Sequence, residues 1–464
     1  MGKCPEIGLS NIQAAWVEIE DVPGVLQKPT AKGYIRPRGN ISMTQTPGQT
    51  ASDELSESLN VSEQFQDAVE AGKASIPTYL RLTDDGSHMQ AHAVLASAMG
   101  KYQAADTVTA AVNEALGIDD EVAEFAIDGV TGGIFPPRCV IQIDDEKILV
   151  GNTEMTAGAV TKVMQCVRGY AGTTAVEHDD DAVITVKSAL YSQGVCRDSL
   201  SIWVKNDRVV QWGRGGYVSS TEIPLSNESG QQVNYTISFA EMGWAGPAVI
   251  KGAPSGNVIT VKTPGGDNAA WGYTVGVYIK NITRDDDNSG AGYRVTAVDR
   301  NAGTITVDGV ITGWADEDEI EPWTPSSQSI GNPVESRSAL VFVNGYAGGI
   351  REGSFTMSTP TEYKMLVGDK FPRFSVDTQR EISITMNGYL DRDGAVAIGR
   401  GYEGYEVPVS LAFGPEEGRR LALTLPRVKL NTPEIGVDGA AFTLDRTGTV
   451  LGRDYEDAVY ITTE

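Results

Sequence analysis

Few side chains in this sequence are spaced for chemistry. His88 and His92 stand four apart, which brings two side chains together on one helix face, but zinc needs further ligands and none is suggested nearby. Surface or partly packed histidines are expected. In DDDNSG at 285–290, Asp285, Asp287 and Ser289 fall at positions one, three and five of a calcium loop, with Gly290 sixth. Position twelve is Thr296 instead of Glu and the residues after the loop read as a strand, so a solvated β-turn is expected. HDDD at 178–181 and DEDE at 316–319 read as exposed acidic loops. GRGGYV at 213–218 leads toward strand sequence and reads as a turn or bulge, not a phosphate cradle. The dinucleotide-binding, P-loop, HExxH and GxSxG signatures are not found. Cys4, Cys139, Cys166 and Cys196 are widely spaced with no CxxC pair, which points to free thiols. The carboxylates of a glycoside hydrolase meet only in three dimensions, and among 62 acidic residues the sequence singles out none. Trp212, Trp314 and Trp323 suit either a carbohydrate surface or packing lids on small β modules. No catalytic residue, cofactor or metal is assigned, and the expected class is a structural protein instead of an enzyme.

Charge narrows the partners. The 464 residues carry 62 acidic against 37 basic side chains, a formal net charge of -25. A chain that grips nucleic acid shows the opposite sign. An acidic wall is nevertheless useful where DNA must slide past, because phosphates find no cations against which to release counterions. No run approaches the roughly twenty apolar residues of a membrane span. The opening MGKCPEIGLS lacks the apolar core of a signal peptide, so a cytosolic product without a membrane partner is expected.

The elements that must position these residues are mostly strands. Within residues 1–128, Val61, Phe65, Ala68 and Val69 fit one face of a short helix, whereas Ala74, Ile76, Thr78 and Leu80 alternate as a strand does. Pro77 favours an edge or bulge there, and DDG at 84–86 a turn. MQAHAVLASAMG reads as a helix with Met89, His92, Ala93 and Ala96 on one face and Gly100 as its C-cap. A second helix is expected over 107–116. Residues 129–200 and 248–312 each read as a small all-β insertion, with CVIQIDDEKILVG giving strand, Asp-Asp turn, strand. Between them Val233, Tyr235, Ile237 and Phe239 line one strand face. Residues 313–333, acidic and rich in turn formers, read as a linker.

From 334 to 464 the strand signals are most regular. Val407, Val409, Leu411 and Phe413 alternate, as do Leu421, Leu423 and Leu425. In RFSVDTQREISITMNGYL, Phe374, Val376, Ile382, Ile384 and Met386 share one phase and are expected to pack outward from a lumen. Asp377, Gln379, Glu381 and Ser383 occupy the other phase and suit a channel lining. Such strands need a partner on their apolar side and a neighbour on any open edge, which repeated subunits supply.

Three stretches carry a family resemblance: ESLNVSEQFQDAVEAGKASIPTYLR at 57–81, VRGYAGTTAVEHDDDAVITV at 167–186 and ALTLPRVKLNTPEIGVDGAAFTLDRTGTVLG at 422–452. The middle one is similar to the RG-x-x-GT-x-A-x-x-H insertions of virion proteins. Together they resemble the tail tube, or major tail, proteins of long-tailed, non-contractile bacteriophages, in the form with two tube domains per chain. The resemblance implies a mainly β fold with short helices, in which a tail-tube-like β-sandwich or split barrel contributes strands to an oligomeric inner β-barrel. The first tube-like domain would be 1–128 plus 201–247 and the second 334–464, with both insertions on the outside. It implies self-association into stacked, trimeric and pseudo-hexameric rings, with the loop at 358–373 reaching the next ring. Its implied partners are tape-measure, tail terminator and distal tail proteins, with double-stranded DNA passing through the lumen unbound. The product would be made in the bacterial host cytoplasm and reside in the virion tail. A virion or surface adhesin of β modules that binds carbohydrate is the alternative, and a hydrolase with an unrecognised carboxylate site a third class.

Overall fold

The computed structural model describes residues 12–51, 64–83, 89–156, 159–226, 230–336, 340–343, 346–347, 350–390, 394–414, 419–439, 441–452 and 457–463. The chain is mainly β, and its largest element is a network of nineteen hydrogen-bonded strands. Alternation dictates it. Val233, Tyr235, Ile237 and Phe239 bury one face of their strand, as do Val407, Val409, Leu411 and Phe413, and Leu421, Leu423 and Leu425. These residues belong to one apolar cluster that runs from Ala15 to Ile461, so both ends of the chain share a core.

Two halves of this network repeat one topology. The first contains β1 (Gln13–Ile19), β2 (Ser42–Thr44), β3 (Gly72–Tyr79), helix α1 (His92–Met99), β4 (Leu200–Asn206), β5 (Val209–Leu225), β6 (Gln232–Phe239) and β7 (Glu241–Ala245). The second contains β8 (Leu340–Val343), β9 (Glu352–Ser358), β10 (Glu381–Tyr389), helix α2 (Gly394–Tyr402), β11 (Glu406–Phe413), β12 (Leu421–Leu430), β13 (Glu434–Asp438), β14 (Ala441–Val450) and β15 (Tyr460–Thr463). In the first half the antiparallel order is β1-β4-β5-β6-β3-β2. In the second it is β8-β11-β12-β14-β10-β9, with β13 continuing the line of β12 along β14. β7 pairs with the first part of β5 as β15 pairs with the first part of β12. Even the bulges correspond, between Leu200 and Ile202 in one half and Val407 and Val409 in the other. A β-hairpin arm sits between β2 and β3 (Pro47–Ala51 with Gln64–Val69) and between β9 and β10 (Thr361–Lys364 with Phe374–Asp377).

The halves are joined strand to strand. Residues 220–225 of β5 pair with β9, and Ala189–Gln193 pairs with β15. β5 bends at Gly215, whose φ of +61° suits glycine. The buried Glu20 carboxylate accepts from the Gly215 N–H at 2.8 Å, the Gly24 N–H at 2.6 Å and the Ser201 hydroxyl at 2.9 Å. The expected turn or bulge at GRGGYV is this bend.

Two modules interrupt the frame. A seven-stranded sheet lies between α1 and β4, around its own core from Val108 to Val186. It starts before the expected boundary at 129, because Thr109–Val112 and Phe125–Thr131 pair within it. The helix expected over 107–116 is therefore a strand: Val108, Ala110 and Val112 alternate inward with period two. Between β7 and β8 a closed six-stranded barrel follows. Its closing strand, Glu319–Pro322, pairs with Ala248–Ile250 and Tyr278–Asn281, so residues 313–333 are not a linker. Buried Trp314, Asp318, Ile320 and Trp323 hold that stretch, and Ile330–Pro333 pairs with Arg81–Thr83.

Other expectations divide. α1 ends as the sequence indicates, with Gly100 in the left-handed region and its N–H donating to Ala96. Gln64–Val69 is a strand of the first arm, not a helix, because pairing with Pro47–Ala51 outweighs the short helical pattern of Val61, Phe65, Ala68 and Val69. Val61, His88 and the DDG turn lie outside the described residues. Leu423 is fully buried, so Leu423→Ala is expected to lower stability by about 2–5 kcal/mol; a denaturant midpoint equal to the unsubstituted chain would rule this out.

Candidate assembly surface

Directly opposite residues of paired strands share a sheet face, so the ladders fix what the frame presents. On the core side, Ile76, Tyr235, Thr221, Met357 and Ile382 follow one another across five strands, all buried. On the other side, Ser75, Thr236, Ser220, Ser358 and Glu381 form one row and Asn234, Glu222, Thr356, Ser383 and Thr449 the next. All ten are half-buried or exposed. The result is a hydroxyl-rich wall with isolated carboxylates that crosses from one half of the chain to the other. From the sequence only the β10 part of this wall was legible. The rest needs the register, because serine and threonine rows carry no periodic signal of their own.

The nine residues singled out in RFSVDTQREISITMNGYL do not form one strand. Ile382, Ile384 and Met386 are buried in β10, with Glu381 exposed on its opposite phase. Phe374 and Val376 are 51% and 55% exposed on the second arm, so they do not continue that apolar face. The break falls at Thr378–Arg380, where the Thr378 N–H donates to the Pro360 carbonyl at 2.9 Å and closes the base of the arm. Gln379 is exposed there. Asp377 is already engaged: the buried Arg197 guanidinium binds both its oxygens and also reaches Thr361 Oγ1 at 2.8 Å. Burial would raise the Asp377 carboxyl, but hydrogen bonding and charge from Arg197 outweigh it and hold it below the usual aspartate range. The Tyr363 hydroxyl lies 2.9 Å from the Gly215 carbonyl and 2.6 Å from that of Ser238, a second anchor. Beyond these anchors the arm exposes Met365, Leu366 and Val367. The two arms meet where the Val69 N–H donates to the Lys370 carbonyl at 2.9 Å.

Comparison with protein-family models and with curated proteins returns no match.

The acidic loops prove more structured than their composition suggests. His178 of HDDD is buried, while Asp179, Asp180 and Asp181 stay exposed. Its Nε2 lies 2.9 Å from Glu146 Oε2 and its Nδ1 3.0 Å from Asp144 Oδ2. Glu146 is fully buried and also accepts a bidentate pair from Arg168, both at 2.8 Å, and the N–H groups of Gly169 and Val176. The RG-x-x-GT-x-A-x-x-H stretch thus wraps around a carboxylate from the hairpin of Val140–Ile143 and Glu146–Leu149, where the sequence suggests only an ordinary strand. Burial alone would raise Glu146, yet these donors together hold it down at about 2. In DEDE, Asp318 is buried against Arg284, Asn281 and the Ala315 N–H. In DDDNSG, Asp286 accepts from Trp314 Nε1 at 2.6 Å and from the Tyr293 hydroxyl at 3.0 Å. Among the described residues no group of three His, Cys, Asp or Glu is placed to hold a metal ion. Trp212, Trp314 and Trp323 are buried packing residues; the exposed indoles are Trp244 and Trp271, with Arg300 over the Trp271 ring.

Three outcomes follow from these charges. Glu146 is lower in the folded chain than in the unfolded, so its stabilisation is present above about pH 4.5 and lost as pH falls through about 2. Glu146→Ala leaves the buried Arg168 guanidinium with backbone carbonyls alone and is expected to cost about 3–5 kcal/mol, read by calorimetry as an early transition of the seven-stranded module. Asp377→Ala removes the carboxylate that ties the second arm to Arg197, and trypsin is expected to cut at Lys370 and Arg373 faster than in the unsubstituted chain; equal cleavage rates would show that Thr361, still bonded to Arg197, and Tyr363 suffice.

Proposed function

We propose that the chain is the structural subunit of a bacteriophage tail tube, stacking as rings that form the channel for genome delivery. The observation that carries this reading is the internal repeat, whose continuous polar wall lies opposite a shared apolar core. A wall of hydroxyls and scattered carboxylates, in which Lys73 and Lys429 are isolated cations, gives DNA no row of cations to bind. The net charge of -25 acts in the same direction. Two copies of one frame per chain fit trimeric rings with pseudo-sixfold symmetry. Gln379 and Glu381, together with Ser383, are assigned to the lumen; Asp377, paired to Arg197, sits at the arm base and presents no free charge. The arm tip at Met365, Leu366 and Val367 is assigned to contact with the next ring. Tape-measure, terminator and distal tail proteins are the partners this role requires, and the virion tail is the location.

Trp244 and Trp271 favour a second reading, a β-module adhesin that binds carbohydrate across exposed indole faces. Electron cryo-microscopy of particles and of the purified chain separates the two. Stacked rings with three subunits each are expected; absence of the chain from the tail shaft, with glycan binding by the monomer, would overturn the tube. Gln379→Lys with Glu381→Lys is expected to slow DNA delivery while tails still assemble, and unchanged ejection kinetics would remove these residues from the lumen.

A further inference from the structure

The two halves of the chain differ at one edge. In the first half, residues 220–225 of β5 have β6 on one side and β9 on the other. The corresponding strand of the second half, β13, pairs with β14 alone among the described residues. Likewise β9 lies between β10 and β5, whereas its counterpart β2 pairs with β3 alone among the described residues. One strand edge in each half is thus open where the other half shows it filled.

Matching the ladders strand by strand sets Glu222-Ile223-Pro224-Leu225 against Glu434-Ile435-Gly436-Val437, and Ser354-Phe355-Thr356 against Ser42-Met43-Thr44. The residue types agree at nearly every position. Their burial does not: Ile223 and Leu225 are 1% and 7% exposed, while Ile435 and Val437 are 54% and 71% exposed. The apolar residues of β13 are uncovered where the neighbouring strand is missing, whereas Met43 of β2 is buried in the core as Phe355 is. An uncovered edge with exposed apolar side chains is a template for another chain.

We propose that β13 of one chain pairs antiparallel with β2 of a second copy, in the register that already joins β5 to β9 within the chain. Because Glu222 stands opposite Thr356 and Ile223 opposite Phe355, the seam places Glu434 opposite Thr44 and Ile435 opposite Met43 of the next copy. Ile435 then enters a site equivalent to that of Ile223, and the polar rows of the wall continue across the boundary. This seam names the ring contact of the tube reading and rests on it for closure, but the pairing itself follows from the internal repeat.

The test uses the full chain with Cys4 and Cys196 replaced by serine. Thr44→Cys and Glu434→Cys are made in separate chains and mixed, with a short thiol cross-linker. Glu222→Cys with Thr356→Cys in one chain is the internal control, because that pair has the same geometry. A linked two-chain product is expected from the mixture and not from either variant alone, and Ile435→Asp is expected to abolish both it and assembly while leaving the melting temperature unchanged. Rings that form without the link would overturn the seam and leave the tube standing. A chain that stays monomeric at its highest soluble concentration, while the internal control links, would also overturn the seam. A linked product from a chain absent from tail shafts would keep the seam and remove the tube.

Discussion

Backbone pairing is the constraint on which the rest depends. A buried N–H or C=O without a partner costs as much as a lost hydrogen bond, and β5, seventeen residues long, is where the molecule meets that requirement most heavily. It pairs with β4 and β7 along its first part and with β6 and β9 along its second. Serving four neighbours requires a bend, and the bend requires the left-handed backbone at Gly215, held by Glu20. The same bend brings β9, and with it the second half of the chain, onto the first. With the pairing of Ala189–Gln193 to β15, that contact makes a single core out of two repeats.

Charge is used differently inside and outside that frame. The inserted modules fix their loops by burying carboxylates with full sets of donors, Glu146 with Arg168 and His178, Asp318 with Arg284 and Asn281. Such groups specify one geometry because any other leaves a charge unpaired. The frame buries one such carboxylate, Glu20, at the bend of β5, while Glu222 and Glu381 on the wall are exposed. The large negative net charge is therefore partly structural and partly a property of the wall.

Much of the frame was legible in the sequence where one face of a strand is buried, as in β6, β11 and β12. Short windows misled: residues 64–69 and 107–116 fit a helical stripe, and only their strand partners decide against it. The linker at 313–333 was inferred from composition, which hides the alternation of Asp318 and Ile320 that closes the barrel. Glu146 escaped notice because its partners lie 22 and 32 residues downstream. The repeat itself left only Ser-Met-Thr against Ser-Phe-Thr and Glu-Ile-Pro-Leu against Glu-Ile-Gly-Val, too little to detect before the ladders align them.

Both inserted modules belong to the first half of the chain. The barrel shares its core with Trp16, Trp203 and Trp212 of the frame, so it is fused to that half and does not hang from it on a tether. Any array built by repeating the β5–β9 contact would thus carry decorated and bare frames in strict alternation. In such an array the modules would recur once for every two frames, and the gaps between them would be one bare frame wide.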